Sequence, residues 1–437
     1  MIYLDHAAAT PVIPKARQAM EDYFSEQFFN PSSPYLPAKH VRDNYEFAKN
    51  TIAHTIGAKG VDIIITAGAT ESINLAFTAV LSAVRKKTVV AWQNGINNAE
   101  KVLKMPNMTE ILILSTEHAS VRAVAQHYAT EVGAKLIEVN VDKNGLIDLK
   151  DFQNKLSSRT VFVSVSLANN ELGTIQPLAE IAEIIRKERE RRLKDVLDAR
   201  GSAGHIKDSA RDVKNNAGNT RPLPLIFHSD ASQALNLIDI SVARLGVDLL
   251  TINSAKIGGP KGVGALYVSH EVELRPVIYG GGQELGLRSG TENVPGVIGF
   301  AAAAEEAKSH VMGNRKKYQK YVEILKSELL KCKLEPVFLG NPKHQLANFC
   351  PVSFPGIDAE RIIYLLEEKQ VYLSTGAACS ANKGTVSRVL KAIKLTDAEI
   401  SGSLRISLGM LNTEENVREA GKLIVEAVEK EILRCRK

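Results

Sequence analysis

Lys256 is a candidate covalent group because of the sequence around it. It follows an apolar run and precedes a Gly/Pro turn within Asn253–Pro260. A lysine at the end of a buried strand is partly desolvated, which lowers the pKa of its amine and suits Schiff-base formation. Composition leaves two alternatives open, namely an ordinary lysine in a surface loop and the same role for the neighbouring Lys261.

Cys379 lies among small and polar residues in the segment Ser374–Gly384. A cysteine in an exposed loop can act as a thiolate nucleophile. The other cysteines, Cys332, Cys350 and Cys435, fall in helical or strand patterns and are expected to be inert. The four show no CxxC pair and no metal-ligand spacing, so no metal site is predicted. Free thiols in a large chain favour a cytoplasmic location.

Three further polar residues follow predicted strands, at the edge where α/β sheets place ligand-binding groups. Asp230 could pair with a pyridinium nitrogen, or it could cap the segment after it. His118 could stack on an aromatic cofactor or transfer protons, although a structural histidine is the alternative. Asn170 occupies the equivalent position after another strand.

Two more positions could bind anionic groups. Ala69 and Thr70 begin a helical run after a strand, where backbone N–H groups can bind a phosphate; a simple helix cap is the alternative. Arg405 lies in an alternating strand among apolar neighbours. Such an arginine needs a carboxylate, which an amino-acid substrate or an internal salt bridge would supply.

Positioning these residues requires a sheet whose strands end at one edge. Short apolar runs alternate with helical patterns, which predicts an α/β fold with a largely parallel sheet. The predicted strands are Ile63–Thr66, Ile111–Ser115, Lys135–Val139, Val161–Ser166, Leu225–His228 and Asp248–Ile252. After about Val294 the pattern changes to that of a smaller α+β domain, with helices at Val297–Leu330, Ala359–Lys369 and Thr413–Arg434.

Composition limits the class of protein. The chain has 437 residues, 44% of them hydrophobic, which is enough for two domains. Lys plus Arg exceeds Asp plus Glu by 6, a small surplus that leaves room for an acidic protein partner without requiring one. The N-terminus shows no signal-peptide pattern, and no apolar run reaches the roughly 20 residues of a membrane helix.

Two segments look inserted, near residues 85–107 and 186–222. The second begins with a run of arginines and lysines and continues with Gly, Asn and Asp. No aromatic residues interleave with these charges, so we expect a solvated helix end and a surface loop, and direct nucleic-acid binding is not expected.

Taken in order, these motifs resemble the cysteine desulfurases of the NifS/IscS type, within the class V aminotransferase group of fold-type I pyridoxal-phosphate enzymes. The resemblance spans nearly the whole chain. It rests on the segments Tyr3–Pro11, Asn30–Ser33, Ala67–Ser72, Thr116–His118, Asn169–Pro177, Asp230–Gln233 and Gly280–Pro295, together with the cysteine loop. It implies a large domain over residues 15–290 with a mainly parallel seven-stranded sheet. Residues 1–14 and 291–437 would form a smaller α+β domain that carries the cysteine loop.

The resemblance implies pyridoxal phosphate as cofactor and gives the candidate residues their roles. Lys256 would bind the cofactor and move protons at Cα, His118 would stack on the ring, and Asp230 would pair with its nitrogen. Asn170 and Gln233 would contact the ring substituents, and Asn170 also the substrate. Ala69 and Thr70 would hold the phosphate, Thr291 would reach the phosphate of a neighbouring subunit in a homodimer, and Arg405 would bind the substrate carboxylate.

The sequence departs from the family pattern beside Lys256. Ala255 stands where the family usually has His, which removes one phosphate contact, and Asn253 or Ser254 is the candidate replacement. His6 and Ala9 also stand where Asn and Thr are frequent.

The implied reaction takes sulfur from L-cysteine, leaving L-alanine and a persulfide on Cys379. A long cysteine loop suggests delivery to an iron–sulfur scaffold or a tRNA-thiolation protein. One alternative is a selenocysteine lyase or another β-elimination, which would not need Cys379. A non-catalytic scaffold is another, but it would not need Lys256, Asp230 and His118, all of which are present.

Overall fold

The computed structural model describes residues 1–93, 109–203, 222–375 and 386–435. For residues 85–93, 199–203 and 435 it describes the backbone alone. Cys379 and parts of both segments expected to be insertions, residues 94–107 and 204–221, therefore lie outside the described residues.

A seven-stranded sheet forms the centre of the molecule, with the order β2-β8-β7-β6-β5-β3-β4. Its strands are β2 (Ile63–Thr66), β3 (Glu110–Leu114), β4 (Lys135–Val139), β5 (Thr160–Ser164), β6 (Ile226–Asp230), β7 (Leu249–Asn253) and β8 (Gly264–Val268). Only β8 runs antiparallel to its neighbours, so β2 points the same way as the parallel strands. The predicted α/β class and mainly parallel seven-stranded sheet are confirmed.

Helices cover both faces of this sheet, because its strands are apolar on both sides. Ile63 and Ile65 belong to one buried layer and Ile64 to the opposite one. The helices, in chain order, are α1 (Pro14–Met20), α2 (Leu36–Thr55), α3 (Ala69–Gln93), α4 (Ala119–Val132), α5 (Leu149–Lys155), α6 (Leu178–Ala203), α7 (Val242–Leu245) and α8 (Val294–Leu329). Helices α3 and α4 pack on one face; α2, α6 and the start of α8 pack on the other.

The last part of the chain builds a second hydrophobic core. It holds a four-stranded antiparallel sheet, order β12-β13-β10-β9, and a parallel pair, β1-β11. These strands are β1 (Ile2–Tyr3), β9 (Val337–Phe338), β10 (Val352–Ser353), β11 (Val371–Tyr372), β12 (Ser374–Thr375) and β13 (Ser403–Arg405). The accompanying helices are α9 (Ala359–Glu367), α10 (Arg388–Ala392), α11 (Asp397–Ser401) and α12 (Glu414–Cys435).

The N-terminus of the chain packs with its C-terminal part. Ile2 pairs with Val371, and Leu4 is buried in the second core. Helix α8 joins the two cores, since its first half packs on the large sheet and Tyr318–Leu329 lie in the second core.

The charge run of the second segment lies on α6 and is less solvated than expected. Arg186 and Arg191 pair with glutamates one turn away at the surface. Arg192, in contrast, is buried and donates to the carbonyl oxygens of Ser157 and Leu223. The described helices include none long and apolar enough to cross a membrane.

Candidate active site

One cavity of about 860 Å³ opens at the carboxyl ends of the sheet strands. It brings together most of the candidate residues of the sequence analysis: Ala69, Thr70, His118, Asn170, Asp230, Gln233, Asn253, Lys256 and Arg405. They meet because each except Gln233 and Arg405 follows or ends a strand of the central sheet at the same edge. Thr291 is exposed and does not line this cavity.

Lys256 lies in a single helical turn that follows β7. Its side chain is half-buried, and Nζ donates to the carbonyl oxygens of Ala7 at 2.8 Å and Ala8 at 2.6 Å. The N-terminal segment of the chain thus holds the amine at the cavity wall. Lys261 does not line the cavity; its Nζ lies 3.4 Å from the carbonyl oxygen of Thr10.

The two candidate replacements for the missing histidine occupy different environments. Asn253 lines the cavity, and its Oδ1 accepts from the backbone N–H of Ala255 at 3.2 Å. Ser254 is fully buried, and its hydroxyl lies against Gly259 rather than in the cavity wall. Asn253 is therefore the better placed of the two to contact a phosphate.

His118 caps α4 and faces the cavity. Its Nδ1 accepts from the backbone N–H of Ser120 at 3.2 Å, which leaves the proton of the neutral ring on Nε2. Burial lowers the pKa of His118 below its usual value, partly opposed by the negative charge of Asp230. The lowered pKa favours the neutral ring, whose Nε2 can donate into the cavity. The helix cap is the structural role considered as its alternative.

Asp230 ends β6 and also combines two roles. Its Oδ1 accepts from the backbone N–H of Ser232 at 2.9 Å and from the Ser232 hydroxyl at 2.6 Å. This local turn fixes the carboxylate at the cavity wall. Gln233 is held by Nε2, which donates to the carbonyl oxygen of Ala7 at 3.0 Å.

The N-terminus of α3 is placed to bind an anion at the cavity. The N–H groups of the first helical turn have no acceptor within their own helix, and here Ala69 and Thr70 line the cavity. Gly68 precedes them with φ +144°, and the space where its Cβ would stand is open. Glu71 also faces this region, but its carboxylate is engaged by Arg288 at 2.9 Å and by the N–H of Ala67 at 2.8 Å.

Arg405 lies in β13 and reaches the cavity from the second core. It is buried, and its Nη2 donates to Asp5 at 2.8 Å, so the internal salt bridge considered as its alternative is present. Its Nη1 lies 3.5 Å from the carbonyl oxygen of Asn170. Its Nε is buried with no partner among the described residues, so one donor remains for an anionic ligand.

Three acidic residues of this region received no role from the sequence. Asp5 pairs with Arg405, and burial raises its pKa. Glu117 is buried behind His118, accepts from the N–H of Ser166 at 2.6 Å, and has its pKa raised to about 8 by burial. Glu171 accepts from Ser387 at 2.6 Å. Asp5 and Glu171 belong to motifs that carry the family resemblance. Their side-chain partners, Arg405 and Ser387, lie far away in the sequence, so the motifs alone did not reveal these contacts.

The residues of the cavity fit pyridoxal phosphate. The open space at the start of α3 can hold an anionic phosphate. The Lys256 amine can form a Schiff base with the aldehyde of the cofactor. Asp230 supplies a carboxylate for a ring nitrogen, and the unpartnered Nε of Arg405 suits the carboxylate of an amino acid. Among the described residues, no group of three His, Cys, Asp or Glu side chains is arranged to hold a metal ion.

Comparison with known proteins gives consistent matches over the chain. The aminotransferase class-V family model matches residues 2–96, 93–215 and 209–419. The sequence is 35% identical over 430 residues to Cysteine desulfurase IscS 1 of Archaeoglobus fulgidus, covering 98% of this chain and 97% of that protein. It is 32% identical over 429 residues to Cysteine desulfurase IscS of Methanosarcina thermophila, covering 98% and 92%.

Solved structures also share the fold, and two examples follow. A NifS-like protein superposes with a TM-score of 0.79 at 30% identity, covering 98% of this chain and 99% of that one. A structure of SspA in complex with cysteine gives a TM-score of 0.69 at 28% identity, covering 93% and 99%.

Proposed function

Because this chain belongs to the aminotransferase class-V family, as a pyridoxal phosphate-dependent cysteine desulfurase, we propose that it removes sulfur from L-cysteine in the described cavity and passes it to Cys379. The observation that supports the location is the meeting of Lys256, Asp230, His118 and Arg405 around one cavity. A surface lysine or a structural histidine would not require the other three residues.

Lys256 would accept and return the proton at the substrate Cα, and its surroundings would hold the amine in place. Bound pyridoxal phosphate supplies an electron sink for the bonds at that carbon. The carbonyl oxygens of Ala7 and Ala8 hold the lysine amine at the cavity wall, where it can bind the cofactor and later accept and return a proton.

His118 and Asp230 bind the cofactor ring from two sides. Neutral His118 carries its proton on Nε2 because Nδ1 accepts from the backbone, so it can donate a hydrogen bond or a proton into the cavity. The Asp230 carboxylate would hold a proton on the ring nitrogen. Asn170 and Gln233 line the same wall and would contact ring substituents.

Arg405 would bind the carboxylate of L-cysteine. Asp5 holds one end of the guanidinium, which leaves Nε and the remaining face for the substrate. Because the guanidinium is buried and its ion pair fixes its position, the substrate carboxylate meets a preorganised donor. At the other end of the cavity, Ala69, Thr70 and Asn253 would hold the cofactor phosphate.

Sulfur transfer to Cys379 balances without an external oxidant. The Cys379 thiolate attacks the substrate sulfur, the C–S bond breaks, and its electron pair stays on Cβ, which takes a proton to give alanine. The sulfur is left on Cys379 as a persulfide, the oxidised partner of the reduced Cβ. Burial raises the pKa of Cys350 to about 12 and also raises that of Cys332, so neither thiol supplies a competing thiolate.

We propose a homodimer in which Thr291 reaches the phosphate of the second copy. Thr291 is exposed and outside the cavity of its own chain. The segment before it displays Tyr279 at 80% exposure and Leu285 at 74%. Large apolar side chains this exposed favour an interface.

Further proposals concern the domain organisation of the enzyme, its location and its sulfur acceptor. We propose a division into 15–290 and 1–14 with 291–437, which the second core and the pairing of Ile2 with Val371 support. Apolar residues of 294–307 and 389–393 nevertheless pack in the first core and connect the two parts. The free thiols of Cys332 and Cys350 favour a cytoplasmic location. The persulfide would be passed to an iron–sulfur scaffold or a tRNA-thiolation protein.

Alanine formation from L-cysteine under a thiol reductant tests this function. We expect alanine from the wild type and from Cys332→Ser, and almost none from Cys379→Ser. Equal alanine from Cys379→Ser would remove Cys379 from the reaction and favour a lyase. A protein that forms no alanine when loaded with pyridoxal phosphate would contradict the desulfurase function.

A further inference from the structure

The chain leaves the described structure after Thr375 and re-enters it at Val386, so Cys379 lies between two fixed points. The first fixed point is strand β12, in which Ser374 pairs with Arg405. The N-terminal attachment of the Cys379 segment is therefore a neighbour of the proposed substrate-carboxylate site.

The second fixed point is Ser387, which is buried and caps α10. Its Oγ accepts from the backbone N–H of Leu390 at 3.2 Å and donates to Oε2 of Glu171 at 2.6 Å. Val389 and Leu390 then pack into the core of the large sheet. A helix cap needs only the first of these hydrogen bonds, so the contact with Glu171 requires a separate explanation.

Glu171 directly follows Asn170, which lines the cavity. Asn169 Oδ1 accepts from the backbone N–H groups of Glu171 and Leu172, both at 2.8 Å. The carbonyl oxygen of Asn170 faces Arg405 Nη1. Burial raises the pKa of Glu171 to about 7, and the hydrogen bond from Ser387 and the nearby charge of Arg405 oppose that rise.

Both attachments of the Cys379 segment therefore meet around Arg405. One attachment pairs with the arginine through β12 and β13, and the other reaches it through Ser387, Glu171 and Asn170. A hydrogen bond to an ionised carboxylate is stronger than one between neutral groups, so this contact is suited to hold the end of a segment when Glu171 is ionised.

We infer that the Glu171–Ser387 hydrogen bond is a positioning contact, which fixes the C-terminal end of the Cys379 segment beside Asn170 in the wall of the substrate cavity. The inference rests on the proposed role of Cys379. It assigns to Glu171 and Ser387 the placement of the thiol for attack, while binding of L-cysteine depends on other residues.

Ser387→Ala tests this contact, because it removes the donor to Glu171. We expect kcat for alanine formation to fall about tenfold, since small misplacements of a reacting group cost factors of this size or more, while KM for L-cysteine stays within about twofold. Ser387→Thr keeps the hydroxyl and should restore most of kcat. Glu171→Gln keeps an acceptor and should be milder than Glu171→Leu.

Ser241→Ala is the matched control, because Ser241 also caps a short helix but contacts no carboxyl group in the cavity wall. A fall in kcat of the same size in Ser241→Ala and Ser387→Ala would overturn the inference, as would a rise in KM with unchanged kcat. The rate of Cys379 alkylation by iodoacetamide is a second readout. It should change in Ser387→Ala and Glu171→Leu and stay at the wild-type value in Ser241→Ala; equal rates in all four proteins would also contradict the positioning role.

Failure of the proposed function would look different. Equal alanine formation by wild type and Cys379→Ser would remove the role of Cys379 itself, whatever the behaviour of Ser387→Ala. The positioning role is rejected on its own when Cys379→Ser is inactive and Ser387→Ala matches its control.

Discussion

At the residue scale, the site depends on an ion pair that joins the two ends of the chain. Asp5 and Arg405 are 400 positions apart, yet their side chains meet at 2.8 Å in the cavity wall. The aspartate orients a buried guanidinium that would otherwise have several free rotamers. Substrate affinity should therefore depend on Asp5 even though Asp5 is not proposed to contact L-cysteine.

Asp5→Asn should raise KM for L-cysteine at least about tenfold, since a hydrogen bond to a charged group contributes about 1.5–3 kcal/mol, and should change kcat less. Steady-state alanine formation measures both constants. Asp239→Asn is the control, because Asp239 pairs with Arg244 at the surface away from the cavity. A loss of kcat with an unchanged KM would show that Asp5 does not act through Arg405.

A second residue-scale prediction concerns His228, which lies beneath the site within hydrogen-bond distance of Ser164 and Thr251. Burial lowers its pKa from 6.5 to about 3. Below pH 6.5 this histidine is protonated in the unfolded chain but stays neutral in the folded chain. The free energy of unfolding is therefore highest above pH 6.5 and falls progressively toward pH 3. The slope is about 1.4 kcal/mol per pH unit.

His228→Gln should remove this contribution. Urea unfolding between pH 6 and 4 should show a free energy of unfolding that falls less steeply in the variant than in the wild type, by about that slope. Other buried histidines titrate equally in both proteins, so the difference isolates His228. Parallel curves would mean that His228 binds its proton at the same pH in the folded and the unfolded protein.

Sequence reasoning at this scale identified residues that the structure brings to one cavity, but not the side chains that support them. Lys256, Asp230 and His118 follow strands, and that position alone suggested a common edge. Asp5 and Glu171 bind through side chains whose partners lie hundreds of residues away, and no local pattern encodes such a contact. Arg192 was expected in solvent because its neighbours are charged, but one face of α6 turns it inward.

At the element scale, the proposed phosphate-binding end depends on the close approach of α3 and β8. A Cβ on Gly264 would lie 2.8 Å from Cα of Gly68, the residue before α3, and 3.0 Å from the carbonyl oxygen of Ile252. Neither backbone can move without shifting a strand end. The glycine thus allows the start of α3 to lie beside β8, the neighbour of the strand that precedes Lys256.

Gly264→Ala should weaken pyridoxal phosphate binding at least about tenfold, which corresponds to about 1.4 kcal/mol. Fluorescence titration of the cofactor-free protein measures the dissociation constant. Gly313→Ala is the control, because Gly313 lies in α8 with nothing near the added Cβ. Unchanged affinity in Gly264→Ala would place the phosphate elsewhere.

Most elements were predictable because their apolar runs are continuous or periodic. The six predicted strands of the central sheet are present with ends shifted by up to two residues, and the three predicted C-terminal helices are present with ends shifted by up to three. Strand β8 was not predicted individually, because Gly262 and Gly264 made its start resemble a turn.

At the scale of the whole molecule, the segment before Thr291 is built to display an apolar side chain. Glu284 and Leu285 both have positive φ, at 48° and 58°, which is unfavourable for non-glycine residues. Contacts to the buried Glu284 carboxylate from Lys49 at 3.0 Å and Tyr45 at 2.7 Å offset this strain. The consequence is that Leu285 projects outward.

Leu285→Asp should disrupt the proposed dimer by placing a charge in its interface. Size-exclusion chromatography with light scattering should give the mass of one chain for the variant and of two for the wild type. Leu197→Asp is the control, because Leu197 is 52% exposed on α6, away from this segment. A wild type with the mass of a single chain would reject the dimer and with it the role of Thr291.

The most direct test of the account follows sulfur from substrate to protein. The holoenzyme is mixed, without reductant, with L-cysteine that carries a heavy sulfur isotope. After one turnover, the masses of the cysteine-containing peptides are measured by mass spectrometry. We predict one heavy sulfur atom on the peptide that contains Cys379 and one alanine released for each atom transferred. Alanine released with no heavy sulfur on Cys379, or with the label on Cys332 or Cys350, would contradict the account.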